Sequence, residues 1–174
     1  LGGNIKHNNL VPLPDDLATQ HGHGTAVASL IAGSHSLIPG VAPGASLLSI
    51  RVADDYGTSD SFTLAEGIIA AMNAGADVIN ISLGSYGNST VLHQAIIAAT
   101  NAGIVIVASA GNDGYGYLTY PAAYQEVLGV GAVDAGGSYL EFSNAGDGLA
   151  ASAPGFGINA AWPDESFVSF TGTS

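Results

Sequence analysis

Three short stretches of the chain carry side chains able to do chemistry together: His23 in HGTAVASLIAG (residues 23–33), Asn112 in ASAGNDG (108–114) and Ser174 in FTGTS (170–174). An imidazole exchanges a proton near neutral pH, a primary amide donates hydrogen bonds, and a hydroxyl becomes a nucleophile when a base takes its proton. Taken singly, each has an ordinary reading. His23 is one of five histidines, and a lone histidine is more often structural or exposed than reactive. Asparagine beside glycine is a standard turn signal, and Gly-Thr-Ser is a common tripeptide. With no cysteine in the chain, thiol chemistry, a disulfide framework and a cysteine-ligated zinc site are all excluded.

Apolar runs at residues 45–52, 77–83, 104–110 and 127–133 alternate with helical patterns, as a parallel sheet flanked by helices requires. Between the first two runs, Thr63 with Glu66 predicts a capping box, Leu64, Ile68, Ala71 and Met72 predict an apolar stripe, and Gly75 predicts the stop. A second helix is expected over residues 89–102, with Leu92, Ala95, Ile96 and Ala99 on its apolar face. Asn73-Ala74-Gly75 and Asn101-Ala102-Gly103 repeat at a spacing of 28 residues, so two successive βα units share one turn design. In such sheets ligands gather beyond the carboxyl ends of the strands. Those ends are Ser82-Leu83-Gly84 and Ala110-Gly111-Asn112. Residues 134–174, rich in Gly, Ser and Pro, predict irregular strands and loops.

The order of the three reactive stretches, together with GVAPGA (40–45), DVINISLG (77–84), YPAAY (120–124), VGAVD (130–134) and APG (153–155), resembles the subtilisin family of serine proteases, the subtilases. The likeness covers the chain from Gly22 onward. It implies a doubly wound α/β fold, a mostly parallel sheet with helices on both faces in a three-layer sandwich, and peptide-bond hydrolysis through a Ser-His-Asp mechanism. On the matching residues it implies His23 as general base at a helix N-terminus, Ser174 as nucleophile, and Asn112 as the side-chain donor of the oxyanion hole. The Ser174 backbone N–H is the second implied donor. His21 lacks the following Gly-Thr and reads as a neighbour, while His7, His35 and His93 take surface or helix-face roles. The resemblance also places Ser82, Leu83 and Gly84 on a substrate-binding strand that pairs with an extended peptide. Gly57 and Thr58 fall on the strand facing it. Ser109, Ala110 and Gly111 form one wall of the pocket for the residue before the scissile bond. Thr119 stands where the family often has glycine at the bottom of that pocket, which implies a shallower one, and Tyr120–Pro121 is expected to be cis.

The match departs from the family in one place that matters. No Asp-Ser/Thr-Gly motif precedes His23, and Asp15 and Asp16 are the only acids before it. They read as loop acids, with Asp16 the one substitute at hand. With that motif and the helix expected after Ser174 both missing, residues 1–174 are expected to form a single partial peptidase domain, an incomplete version of the fold, unstable and inactive by itself. The alternative is a catalytically dead pseudoprotease or peptide-binding module, against which the joint presence of His23, Asn112 and Ser174 argues. A nucleotide-binding α/β domain would need a Gly-rich phosphate loop after its first strand, and no G-x-G-x-x-G or P-loop pattern occurs there.

No cofactor is expected. Calcium is common in the family, but residues 34–40 carry no acid, and a calcium ion takes about 6–8 oxygen ligands. Asp54, Asp55 and Asp113 remain without support as ligands. A net charge of -12, with Lys6 and Arg51 the only lysine and arginine, disfavours nucleic acid and anionic membrane surfaces as partners. No run of about 18 apolar residues marks a membrane span. The implied partner is a polypeptide substrate, with a propeptide in the full-length protein and an extracellular location.

Overall fold

The structure, a computed structural model, describes residues 5–7, 22–36, 38–54, 56–163 and 166–174, the first three by backbone alone. They gather into two compact units, Leu1–Ala74 with Asn159–Ser169, and Gly75–Ile158 with Phe170–Ser174. Among the described residues no helix is long and apolar enough to cross a membrane.

The first unit begins with β1 (Ile5–His7), followed by α1 (His23–Ala32), the short antiparallel pair β2 (Ser34–His35) and β3 (Ile38–Pro39), then β4 (Leu47–Ser49) and α2 (Ser61–Asn73). β1 and β4 pair in parallel, Ile5 opposite Leu47 and His7 opposite Ser49. The sequence does not announce β1, because three residues show no periodicity and only the ladder to β4 makes them a strand. β4 in turn takes just the centre of the predicted 45–52 run.

The start of α2 corrects the expected capping box. The helix begins at Ser61, with Asp60 as N-cap. Its carboxylate accepts the Phe62 and Thr63 amides at 2.8 and 2.9 Å and the Thr63 hydroxyl at 2.9 Å. Thr63 is thereby a partner inside the first turn instead of the cap. A carboxylate has enough lone pairs for all three donors and its charge suits the helix N-terminus. These bonds, with the Thr63 amide foremost, hold the Asp60 carboxyl below its usual range. The predicted stripe is present, with Leu64, Ile68 and Ala71 buried and Met72 partly so.

The second unit is built on β5 (Val78–Ile81), α3 (Thr90–Asn101), β6 (Val105–Ser109), β7 (Val127–Val133) and β8 (Leu149–Pro154). The strands form one sheet in the order β5-β6-β7-β8, every ladder parallel. The Ser89 side chain caps α3 by accepting the Leu92 amide. Leu92, Ala95, Ile96 and Ala99 are buried as predicted, with Ile106 and Ala108 of β6 also in the core. Gly75 and Gly103 follow their helices at φ +77° and +88°, so the repeated Asn-Ala-Gly is one turn used twice. β8 comes from the stretch read as irregular. Its residues are mostly exposed, so they carry no alternating pattern, yet Val130 to Val133 pair along it from Ala151 to Pro154.

The chain then returns to the first unit, where β9 (Ile158–Ala161) and β10 (Phe167–Phe170) are sheet neighbours. The buried Ser29 hydroxyl of α1 donates to Ala26 O at 2.7 Å and accepts the Ala161 amide at 3.0 Å, tying β9 to the helix that begins at His23. Two histidines take the structural roles expected of them. His93 stacks on Tyr124 with centroids 4.2 Å apart and donates from Nε2 to Glu126 at 3.0 Å, and His35 packs against Phe167. His21, Asp15 and Asp16 lie outside the described residues, as does the side chain of His7.

Candidate active site

The second unit brings most of the proposed site residues to the carboxyl ends of β5 and β6. Beyond Ser109 the line of β6 continues through Ala110, whose amide donates to Val130 O at 2.9 Å and whose carbonyl accepts the Thr119 amide at 3.0 Å. The chain then turns at Gly111, which holds φ +112°. A Cβ there would stand 2.5 Å from Asn144 Nδ2 and 2.9 Å from Thr119 Cγ2, so both conformation and space require glycine.

Asn112 emerges exposed from this turn. Its Oδ1 accepts the Thr173 amide at 2.9 Å and the Thr173 hydroxyl at 3.0 Å, and that hydroxyl also accepts the Gly111 amide at 3.2 Å. A backbone N–H can only donate, so the Thr173 amide fixes which end of the Asn112 amide is oxygen. Nδ2 is left as the donor end. Ser174 follows directly. Among the described residues neither Asn112 Nδ2 nor the Ser174 backbone N–H has a hydrogen-bond partner. Two donors without partners beside a serine hydroxyl can stabilise an oxygen that gains negative charge when that hydroxyl attacks a carbonyl.

Thr119 is the contact between the two strand ends. It is buried, its hydroxyl lies 3.3 Å from both Ser109 O and Ala110 O, and a Cβ on Gly84 would come within 2.4 Å of its Oγ1. Gly84 and residues 109–111 thus meet at Thr119. Ser82 Oγ accepts from Asn80 Nδ2 at 3.0 Å, Leu83 is half-buried and Gly84 exposed. The strip is pinned at its end, since Ser85 and Tyr120 exchange both backbone hydrogen bonds, at 3.0 and 2.8 Å. The Tyr120–Pro121 bond is cis, as expected.

Two features at this end of the sheet escaped the sequence. Tyr86, Tyr115 and Tyr117 pack ring against ring at 5.2–5.5 Å while staying partly exposed. The Tyr86 hydroxyl donates to the Asp113 carboxylate, and desolvation followed by that bond raises its pKa above the usual phenol value. Asn144, fully buried, accepts the Asp113 amide of the Asn112 loop at 3.0 Å. Nothing in the sequence singles it out.

The other predicted residues lie in the first unit. His23 is the first residue of α1 and is exposed. Its N-cap Gly22 lies so close to Trp162 and Pro163 that a Cβ would come within 2.3–2.7 Å of them. Gly57 and Thr58 do not form a regular strand. Asp54 closes them into a turn, its amide donating to Thr58 O at 2.9 Å while its Oδ1 accepts the Tyr56 and Thr58 amides, both at 2.9 Å. Oδ1 of Asp54 is therefore committed to the turn. No group of three or more His, Asp or Glu able to hold a metal ion occurs among the described residues.

The subtilase family profile matches residues 3–174. The chain belongs to the subtilase family. Subtilisin Savinase of Lederbergia lenta is 39% identical over 166 residues, which cover 93% of this chain and 62% of that protein. A thermostable alkaline protease of Halalkalibacterium halodurans is 42% identical over 156 residues, covering 88% of this chain and 43% of its own length. Among solved structures, the protease domain of PatA superposes with a TM-score of 0.90 at 34% identity, over 99% of this chain and 66% of that one. PagA, a prenylagaramide maturation protease, gives 0.87 at 34% identity over 99% and 62%. This subtilase chain therefore spans 43% to 66% of the length of these relatives. The likeness establishes the subtilisin-like α/β fold, of which the four-stranded parallel sheet of the second unit is a part.

Proposed function

We propose that the protein is a serine endopeptidase in which Ser174 attacks the carbonyl of an extended polypeptide. In this mechanism His23 takes the proton from Ser174 Oγ and delivers it to the leaving amine, so that an acyl-enzyme forms and water then resolves it. Asn112 Nδ2 and the Ser174 N–H donate to the oxygen on which charge develops. The observation that carries this reading is the clamp on Asn112 Oδ1 by Thr173, the residue before Ser174, which commits the oxygen and leaves Nδ2 as the donor end. The substrate backbone runs beside residues 82–84, with Thr119 at the bottom of the pocket for the residue before the scissile bond. The family resemblance, by which subtilases are usually secreted, supports action outside the cell.

The test uses the protein with its native flanking sequence, a chromogenic peptide and a serine-directed phosphonate. Ser174→Ala and His23→Ala are expected to lower kcat by at least about 10⁴. Ser174→Ala should also abolish phosphonate labelling. Labelling and turnover that survive Ser174→Ala would refute the assignment.

A further inference from the structure

The loop that carries Asn112 is held along its length by residues 142–145. Gly114 donates to Phe142 O at 2.7 Å, Asn144 N to Gly111 O at 2.9 Å, and Ala145 N to Tyr115 O at 2.9 Å. Asn144 adds its side chain. Its Oδ1 accepts the Asp113 amide at 3.0 Å and the Tyr115 amide at 3.1 Å, and its Nδ2 donates to the Tyr86 hydroxyl at 3.0 Å. Since Tyr86 donates in turn to Asp113, three bonds close a ring through Asn144, Tyr86 and Asp113. Backbone and side chain together fix residues 111, 113 and 115, on both sides of Asn112, without touching the Asn112 side chain.

Resting on the oxyanion assignment above, we infer that Asn144 is a positioning residue for the oxyanion donor: one buried oxygen, accepting the Asp113 and Tyr115 amides, fixes the backbone from which Asn112 Nδ2 meets the reacting carbonyl. The requirement is geometric, because an oxyanion donor works only when held to about 0.5 Å of its productive place. Thr173 sets the rotation of the Asn112 amide and Asn144 sets the position of the main chain beneath it. Neither clamp substitutes for the other. Asn144 also adds to the requirement for glycine at position 111, since its Nδ2 would lie 2.5 Å from a Cβ there.

The experiment is a double-mutant cycle in the protein with its native flanking sequence, with active sites counted by phosphonate titration. Asn144→Ala and Asn112→Ala are measured singly and together on a chromogenic peptide. Asn144→Ala should lower kcat about tenfold with KM within about twofold, and Asn112→Ala should lower it about 10²–10³-fold. In the Asn112→Ala background, Asn144→Ala should cost less than about twofold more, since the donor it positions is gone. An equal loss in both backgrounds, or a rise in KM at constant kcat, overturns the inference. If Asn112→Ala itself leaves kcat unchanged, the oxyanion assignment fails and the inference with it. Should Asn144→Ala not fold, Asn144→Asp carries the same cycle. It keeps the acceptor oxygen, so its loss in the Asn112 background should be smaller than tenfold and should vanish in Asn112→Ala. A loss that persists there overturns the inference.

Discussion

Replacing Thr119 by glycine should deepen the substrate pocket and change which peptides are cleaved. The side chain removed is a hydroxyl bonded to Ser109 O and Ala110 O at 3.3 Å each, and a methyl set against Gly111. Both hydrogen bonds are long, and Ala110 O keeps the Thr119 amide as a partner, so their loss costs about 1 kcal/mol. The buried methyl adds about 0.8 kcal/mol, and the freer glycine backbone about 0.5–1 kcal/mol. The variant should therefore be destabilised by roughly 2–3 kcal/mol, seen as a lower urea midpoint at unchanged slope. Against that, a hydrophobic pocket enlarged by a methylene or two should discriminate differently by about 1–3 kcal/mol, or 10–200-fold. The assay compares kcat/KM for two chromogenic peptides that differ only in Ala or Phe before the scissile bond. The Phe/Ala ratio should rise at least about tenfold. A folded Thr119→Gly variant with a ratio within about twofold of the parent would refute the placement of Thr119 in the pocket.

Two further outcomes concern stability. Asp60→Ala removes the two oxygens that take three hydrogen bonds in the first turn of α2 and should lower the urea midpoint, whereas Thr63→Val should lower it less because Thr63 is not the cap; the reverse order would show that the sequence-based capping box was right. The Glu126 carboxyl is held below its usual range chiefly by its hydrogen bond from His93. A carboxyl depressed in the folded state adds stability above its unfolded value near 4.3 and loses it as pH falls through the lower folded value. Glu126→Gln should thus be slightly less stable than the parent at pH 6, by less than about 1 kcal/mol because the pair is exposed, and the difference should shrink as pH falls below the usual carboxyl value. A difference that does not change with pH would exclude the ion pair as its source.

What the sequence made legible was local. The α3 stripe, the repeated Asn-Ala-Gly turn and β7 each follow from patterns contained in a dozen residues or fewer, where periodicity and turn chemistry agree. The failures have a different origin. β1 and β8 are strands only because a partner strand lies beside them, and the α2 cap was misplaced because Asp60 outcompetes Thr63 for the first-turn amides. Asn144 was invisible because the amides it holds lie 31 and 29 residues away in the chain, and no short window records that pairing.

The Asn112 clamp shows why the motifs nonetheless travel together. An asparagine amide presents either end with little steric penalty, so a turn with Asn between small residues does not by itself aim a donor. The aim comes from Thr173, 61 residues further on, whose backbone amide can bond only to oxygen. Thr173 is also the residue immediately before Ser174, so the segment that carries the proposed nucleophile is the one that orients the amide proposed to donate to the oxyanion. A substitution that shifts this segment moves hydroxyl and donor together. The Gly-Thr-Ser tripeptide and the Gly-Asn turn, each commonplace alone, are thus two halves of one hydrogen-bonded object, and their joint presence says more about chemistry than either motif could.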